Sequence, residues 1–149
     1  MPENNPPKLD SITVITSDMD RSLEFYRMLG VDVPTGGVWR TDSGAHHASA
    51  KMEGADLDFD SAVFAPLFNQ GWAGRDDLAG RTIVGLRVTS RDDVDARYAT
   101  LVAAGYRGLQ PPYDAFWGSR YAVVEDPDGL AVGLMSPVDE EKRGAPPPV

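Results

Sequence analysis

The patterned part of the chain opens with a strand followed by a helix. Residues 10–17 alternate between apolar and polar side chains and are rich in β-branched residues, which predicts a strand. Residues 18–29 then place apolar side chains at helical spacing, with Ser17 or Asp18 as the N-cap and Gly30 as a stop signal. The apolar stripe of this predicted helix includes Met19, Leu23 and Tyr26.

The second half of the chain repeats this order. Residues 81–90 have the pattern of a strand, and residues 91–104 that of a helix, which Gly105 ends. Residues 15–17 align with residues 88–90, about 73 positions further along the chain. Two copies are too few for a solenoid, so the repeat predicts a duplicated module.

Short strands are predicted after each helix. Asp126-Pro127-Asp128-Gly129 has the residue order of a type I turn that joins the last two strands as a hairpin. Each module is therefore expected to be βαβββ. The predicted strands are residues 31–39, 46–52 and 56–62 in the first module, and residues 106–110, 119–125 and 130–135 in the second.

Polar, proline-rich segments lie at both ends of the chain. Residues 1–8 and residues 139–149 are predicted to be disordered, because their composition does not allow a packed core. We expect a single domain over residues 9–138. Its two modules are expected at about residues 9–64 and 81–138, with a polar linker over residues 65–80.

The composition is that of a soluble globular chain with an excess of acidic residues. Of the 149 residues, 42% are hydrophobic and 25% are charged, and the formal net charge is −9. This charge disfavours binding to nucleic acid and to an anionic membrane surface. The absence of cysteine excludes disulfides and thiolate chemistry. Because the sequence contains neither a signal-peptide pattern nor an apolar run long enough to span a bilayer, we expect a cytoplasmic protein without nucleic-acid or membrane partners.

Two motifs resemble the vicinal oxygen chelate superfamily, also known as the glyoxalase/bleomycin resistance protein/dioxygenase superfamily. The first motif, over residues 11–30, is a strand followed by D-x-D-R-S, F-Y and L-G; the second is FWGSRYAVVEDPDG at residues 116–129. The resemblance implies an α+β fold in which paired βαβββ modules form curved, open sheets around a cleft, commonly in a homodimer. Within the superfamily, the chain is most similar to the mitomycin-binding resistance proteins, through residues 22–34, 104–108 and 112–118.

The resemblance also implies where a metal-dependent member of the superfamily would hold its ion. Such enzymes use about four His, Gln or Glu ligands, one on each of four cleft strands. Three of the corresponding positions fall here on Ser11, Ile83 and Gly133, and the fourth strand offers a carboxylate at Asp58 or Asp60. Since serine, isoleucine and glycine cannot replace those ligands, we expect neither a metal ion nor another cofactor.

Aromatic side chains are the first candidates for contacts with a small-molecule ligand. Tyr113, Phe116 and Trp117 precede a predicted strand, and the resemblance implies that a Trp-Gly-x-Arg motif flanks the drug site. Stacking against a planar ligand contributes about 0.5–1.5 kcal/mol per ring pair beyond the burial of area. Packing in the core or in a dimer interface is the alternative for each tryptophan. Trp39 and the linker residue Trp72 are the remaining aromatic candidates.

Polar candidates lie in the first module. His46 and His47 must point to opposite faces of a strand, so they cannot bind one ion together. The plain interpretation is one surface and one packed or cleft-lining histidine, whereas the resemblance places His47 near a pocket histidine. Asp56, Asp58 and Asp60 share a strand face that is either solvated or lines the cleft. Acids in a cleft would favour a cationic or amine-bearing ligand, and the resemblance selects Asp60.

Three functional hypotheses follow. We favour a non-enzymatic homodimer that binds and sequesters a planar aromatic or quinonoid small molecule, in the manner of antibiotic-resistance or self-protection proteins. A metal-dependent lyase or dioxygenase-like enzyme, with a degenerate metal site around Asp58, Asp60 and His47, is the first alternative. A regulatory or accessory protein that acts through a partner is the second. The ligand contacts that the favoured hypothesis assigns are Trp117, Tyr113, Phe116, His47, Asp60, Asp58 and Trp39.

Overall fold

The computed structural model describes most of the expected domain and part of the C-terminal tail. The described residues are 11–68, 82–145 and 148. The expectations for residues 1–8, for Trp72 and for most of the linker lie outside them. Within the described part of the chain, no helix is both long and apolar enough to cross a membrane.

Contacts divide the described residues into two compact units. The division falls inside helix α1 (Met19–Met28). Unit 1 comprises residues 11–23 and 30–68, and unit 2 comprises residues 24–29 and 82–145. Each unit contains one four-stranded sheet.

Unit 1 combines a parallel strand pair with antiparallel neighbours. Its elements besides α1 are β1 (Ser11–Thr16), β2 (Trp39–Arg40), β3 (His46–Lys51), β4 (Asp56–Ser61) and the short helix α2 (Ala65–Phe68). The strand order is β1-β4-β3-β2, and β1 runs parallel to β4. The other pairs are antiparallel.

Alternation gives the sheet of unit 1 one apolar and one polar face. On the apolar face, Phe59 is in register with Val14 on one side and with Ala48 on the other, and all three are buried. Leu23 of α1 is buried in the same unit. The apolar face therefore forms the core, and the polar side chains of β3 and β4 are left on the opposite face.

Unit 2 repeats the same strand order. Its elements are β5 (Ile83–Arg87), α3 (Arg91–Ala103), β6 (Gly108–Asp114), β7 (Arg120–Glu125), β8 (Ala131–Met135) and a 3₁₀ helix (Glu140–Lys142). The order is β5-β8-β7-β6, with β5 parallel to β8. The chain thus has the α+β architecture of duplicated modules that the sequence predicts.

The core of unit 2 is closed by helices α1 and α3. Phe25 and Tyr26 at the end of α1 are fully buried, and the Phe25 ring meets Tyr106 edge-on at 4.9 Å between centroids. Val94 and Leu101 are the buried side chains of α3. Their spacing of seven positions places them on one side of the helix.

The turn between β7 and β8 is tied to α1 by a buried polar contact. The Tyr26 hydroxyl donates to the carboxylate of Asp126 at 3.0 Å, and that carboxylate also accepts from the backbone N–H groups of Asp128 and Leu130. Burial raises the pKa of Asp126, although these hydrogen bonds oppose the shift. Burial, followed by the Asp126 carboxylate, also raises the pKa of Tyr26. The pair links α1 to this turn within unit 2.

The predicted strand over residues 31–39 is wrong in most of its length. Only its last residue takes part in a strand, as the first of Trp39–Arg40. Val31 and Val33 are nevertheless buried, so they contribute to packing without sheet pairing. Pro34 cannot donate a backbone hydrogen bond to a neighbouring strand, and it is followed by a turn.

The strand predicted at residues 106–110 begins and ends later than expected. It is β6, an edge strand that includes Pro111 and Pro112. Its register with β7 shifts twice between Gly108 and Tyr113, and such irregular edges accommodate proline.

The prediction of disorder throughout residues 139–149 is also wrong. The segment Glu140–Lys142 is helical, and Asp139 caps it by accepting from the backbone N–H of Glu141. The prolines at the end of the chain favour disorder. The residues before them are ordered because the backbone N–H groups of Asp139 and Gly144 donate to carbonyl oxygens of an earlier turn.

Candidate functional site

Two glycines lie side by side on one face of the unit 2 sheet. Gly85 of β5 and Gly133 of β8 are in register, and Val123 of β7 lies opposite Gly133. A Cβ atom at Gly85 would meet nothing within 4 Å. The row beside these residues runs across all four strands and consists of Arg87, Met135, Tyr121 and Tyr113.

Tyr121 occupies the space above Gly133. A Cβ atom at Gly133 would come within 2.8 Å of the Tyr121 hydroxyl oxygen and 3.0 Å of its Cε2 atom. Glycine therefore lets the phenol ring lie across the sheet. Burial, followed by the neighbouring Tyr113, raises the pKa of the Tyr121 hydroxyl, which therefore stays protonated at neutral pH.

Four aromatic rings meet at one end of this face. We call Tyr113, Phe116, Trp117 and Tyr121 the aromatic cluster. Trp117 lies among the other three, with edge-to-face centroid distances of 5.3 Å to Phe116, 5.4 Å to Tyr121 and 6.5 Å to Tyr113. Tyr113 and Phe116 are exposed. The indole N–H of Trp117 is buried and has no hydrogen-bond acceptor among the described residues.

Arginine side chains hold the turn that carries Phe116 and Trp117. Arg91, at the start of α3, donates to the carboxylate of Asp114 and, at 3.1 Å, to the carbonyl oxygen of Gly118. The hydrogen bond from Arg91 keeps the pKa of Asp114 below its ordinary value. Arg120 contacts the same carboxylate at 3.3 Å. Both ends of the turn are thus bonded to α3 and β7.

The C-terminal tail bonds to the same turn. The backbone N–H of Asp139 donates to the carbonyl oxygen of Gly118 at 2.9 Å, and the backbone N–H of Gly144 donates to the carbonyl oxygen of Phe116 at 2.8 Å. Gly118 has a φ of 98°, and a Cβ atom there would lie 2.5 Å from the carbonyl oxygen of Asp139. A glycine is therefore required at this close approach.

The polar face of unit 1 carries three cross-strand pairs. In each pair, a side chain of β3 bonds to the aspartate of β4 that lies opposite it in register. His47 Nδ1 is 2.6 Å from Asp60 Oδ1, Ser49 donates to Asp58 at 2.5 Å, and the ammonium group of Lys51 is 2.5 Å from Asp56. The three aspartates do share one face, and each has a partner on it.

Aromatic rings adjoin the His47 end of this face. Trp39 of β2 is in register with His47 and is 50% exposed. The Phe64 ring lies 5.4 Å from Trp39 and 6.0 Å from His47 between centroids. An imidazole, a buried carboxylate and an exposed indole are therefore neighbours here.

The described residues do not fit the metal centre of the metal-dependent members. No group of three or more His, Asp or Glu side chains in this part of the chain is placed to hold an ion. Within unit 1, Asp60 is bonded to His47, and Asp58 is bonded to Ser49 instead of joining them. The degenerate site proposed around these three residues does not form a coordinating set.

The structure brings the sequence candidates together in two groups. Tyr113, Phe116 and Trp117 form most of the aromatic cluster in unit 2, and Trp39, His47 and Asp60 adjoin one another in unit 1. Asp58 lies on the same face as Asp60 but accepts its hydrogen bond from Ser49. Sequence reasoning missed Tyr121, Phe64, Ser49 and Lys51.

A usable signal existed for some of the missed residues. The alternation of β7 places Tyr121 on the face opposite its buried neighbour Ala122. The partners Ser49 and Lys51 follow from the same parity on β3 once the hairpin register is known. Phe64 follows β4 in a turn, and no periodic pattern predicts its direction.

Comparison with known proteins identifies the family of this chain. A protein of Mycobacterium bovis, described as uncharacterized, is 29% identical over 127 residues, covering 85% of this chain and 82% of that protein. A glyoxalase/bleomycin resistance protein/dioxygenase from Nocardioides has a similar fold, with a TM-score of 0.66, 23% identity and coverage of 99% and 92% of the two chains. For a lactoylglutathione lyase from Agrobacterium tumefaciens, the TM-score is 0.60, the identity 16% and the coverage 88% and 94%.

These structural likenesses establish the fold alone, because the identities are low. The sequence model of one protein family, however, matches residues 8–134, which is most of the chain. The protein therefore belongs to the Glyoxalase/Bleomycin resistance protein/Dioxygenase superfamily.

Proposed function

We propose that this protein binds and sequesters a planar aromatic or quinonoid small molecule without transforming it. A role in antibiotic resistance or self-protection is the corresponding physiological function. The observation that carries the proposal is the aromatic cluster, in which four rings adjoin a sheet face with glycines at its middle. Such a surface offers stacking and apolar contact but few polar anchors, as small-molecule sites commonly do.

The hydrogen bonds that fix the turn carrying Phe116 and Trp117 favour a binding site over an exposed hydrophobic patch without a function. Arg91 and the backbone of the tail fix the turn that presents Phe116 and Trp117. A site whose rings are already held in place loses less conformational entropy when a ligand binds.

We extend the proposal to the polar face of unit 1. His47, Asp58 and Asp60 offer hydrogen-bonding groups, and Trp39 offers an exposed ring. We also propose a homodimer and a cytoplasmic location, in keeping with the resemblance and the acidic composition. The lactoylglutathione lyase has a similar fold, so enzymatic activity is the alternative that the experiments must also be able to detect.

Replacing Trp117 by alanine tests the proposal. Titration calorimetry with mitomycin-type and bleomycin-type compounds should give a dissociation constant raised about tenfold or more in W117A, because several ring contacts are lost. The matched control V102A, at an exposed position on α3, should bind like the unchanged protein. Equal binding by W117A would contradict the proposal. A W117A chain that fails to fold would instead identify Trp117 as a core residue.

A further inference from the structure

The polar face of unit 1 contains an acid–base pair, His47 and Asp60, for which ring stacking with a ligand assigns no role. His47 and Asp60 are directly opposite one another on β3 and β4, and their side chains meet at 2.6 Å between Nδ1 and Oδ1. The Asp60 side chain is 6% exposed, whereas that of His47 is 39% exposed. The carboxylate is thus buried behind an imidazole that solutes can reach.

This geometry assigns a different role to each imidazole nitrogen. A carboxylate held against Nδ1 favours the tautomer that carries its proton on Nδ1, which leaves the lone pair of Nε2 as an acceptor. No partner for Nε2 is found among the described residues. When Nε2 takes a proton, the adjacent carboxylate stabilises the resulting imidazolium.

The neighbouring charged groups do not duplicate this arrangement. Among the described residues of this face, the other titratable side chains are Asp58, which accepts from Ser49, and Asp56, which is paired with Lys51. A hydroxyl and an ammonium group are hydrogen-bond donors in these pairs, so neither pair presents an exposed nitrogen base. Trp39 and Phe64 adjoin the imidazole and give an aromatic ligand a surface beside it.

We propose that the His47–Asp60 pair accepts the proton of a phenolic hydroxyl, so that a hydroxylated aromatic ligand is bound as its phenolate. The inference rests on the proposed function, since it names the ligand class as phenols and hydroxyquinones. The O–H bond of the ligand breaks, its electron pair stays on oxygen, and the proton forms an N–H bond with Nε2. Asp60 remains a carboxylate beside the imidazolium, and no oxidation or reduction occurs.

The probe for this proposal is 2-hydroxyanthraquinone, a planar phenol whose visible absorption moves to longer wavelength on ionisation. Spectra are recorded with the full chain about one pH unit below the pKa of the free dye, where about a tenth of the free dye is ionised. The wild-type protein should shift the bound dye to the ionised band. H47Q and D60N should lose this band and bind about tenfold more weakly, which corresponds to one pKa unit.

Matched controls separate the base from general effects of charge and shape. D56N removes an aspartate of the same strand and face, and it should preserve the ionised band. The methyl ether 2-methoxyanthraquinone has no proton to give, so H47Q should weaken its binding much less than that of 2-hydroxyanthraquinone. If D60N does not fold, H47Q carries the test, because its side chain is partly exposed.

The outcomes distinguish this inference from the proposed function. Calorimetric binding of the dye with a neutral spectrum would overturn the inference and leave the proposed function standing. Loss of the ionised band in D56N would also overturn it, because a general field effect would then suffice. Failure of both dyes to bind would overturn the inference and count against the proposed function as well.

Discussion

Individual side chains determine the shape of the aromatic face in unit 2. Gly133 gives Tyr121 room to lie over the strand, while the space above its register partner Gly85 is open. Neither glycine has a positive φ, so an alanine can be placed at either position without backbone strain. The two positions therefore form a natural pair for comparison.

Gly133→Ala should displace the Tyr121 ring and weaken ligand binding. The added methyl group cannot lie 2.8 Å from the phenol oxygen, so the ring must move. Because the clash is with the end of a side chain and not with backbone, we expect a loss of about 1 kcal/mol in unfolding free energy, at the low end for overpacking. Gly85→Ala should be neutral or slightly stabilising. Urea unfolding and ligand titration of both variants check this, and equal behaviour of the two variants would contradict it.

Asp126 should make stability fall as pH rises. Because burial raises its pKa in the folded state, the unfolded chain loses this proton first, and the folded state holds more protons between the ordinary and the raised value. The unfolding free energy therefore decreases as pH rises through this window. In D126N this contribution should disappear, while Asn Oδ1 still accepts from the turn backbone. The measurement is urea unfolding from about pH 3 to about pH 7.

The difference between the wild-type and D126N curves isolates this group. Asp114 has a lowered pKa and acts in the opposite direction, since its contribution is lost as pH falls. It is present in both proteins and cancels in the subtraction. A difference that stays constant with pH would show that Asp126 has no raised pKa.

The sequence predicts residue types at the candidate site better than it predicts their partners. The resemblance indicates Trp117 and Asp60, and strand parity indicates that Asp56, Asp58 and Asp60 share a face. Their bonding to β3 depends on the register between two strands, which parity alone does not determine. The contact between Tyr121 and Gly133 similarly becomes visible only when side chains are placed in three dimensions.

Secondary-structure elements differ in how far local patterns determine them. Helix α3 is well specified, since Ser90 accepts from the N–H of Asp93 as its N-cap and Gly105 follows its last turn. Strand β6 is poorly specified, because its prolines suggest a break while tertiary pairing with β7 maintains the strand. The tail segment depends on backbone bonds to a turn distant in sequence, so its own composition is misleading.

Arg91→Met should weaken ligand binding with little change in melting temperature. The methionine cannot donate to Asp114 and Gly118, so the turn that carries the aromatic cluster becomes less fixed. Exposed ion pairs contribute little to overall stability, so the effect should fall on binding. R107M, which removes a more distant exposed contact to Glu125, is the control. Calorimetric titration checks the prediction, and an unchanged affinity in R91M would contradict it.

The duplicated architecture follows from the sequence because it depends on periodicity and repetition. Both sheets have equivalent strand orders, with the first strand of each module parallel to the last. Family membership adds the fold and the general capacity to bind small molecules. The choice between sequestration and catalysis depends on a few side chains, which is why the fold alone leaves it open.

A thermal-shift measurement on the full chain tests the central claim most directly. Mitomycin-type and bleomycin-type compounds are compared with divalent metal ions under identical conditions. A ligand at 100 times its dissociation constant should stabilise the protein by about 2.7 kcal/mol, or roughly 5–11 °C for a domain of this size. We predict a shift of this order with a planar aromatic compound and none with metals alone. A shift with metal ions and none with any aromatic compound would contradict sequestration and favour a metal-dependent enzyme.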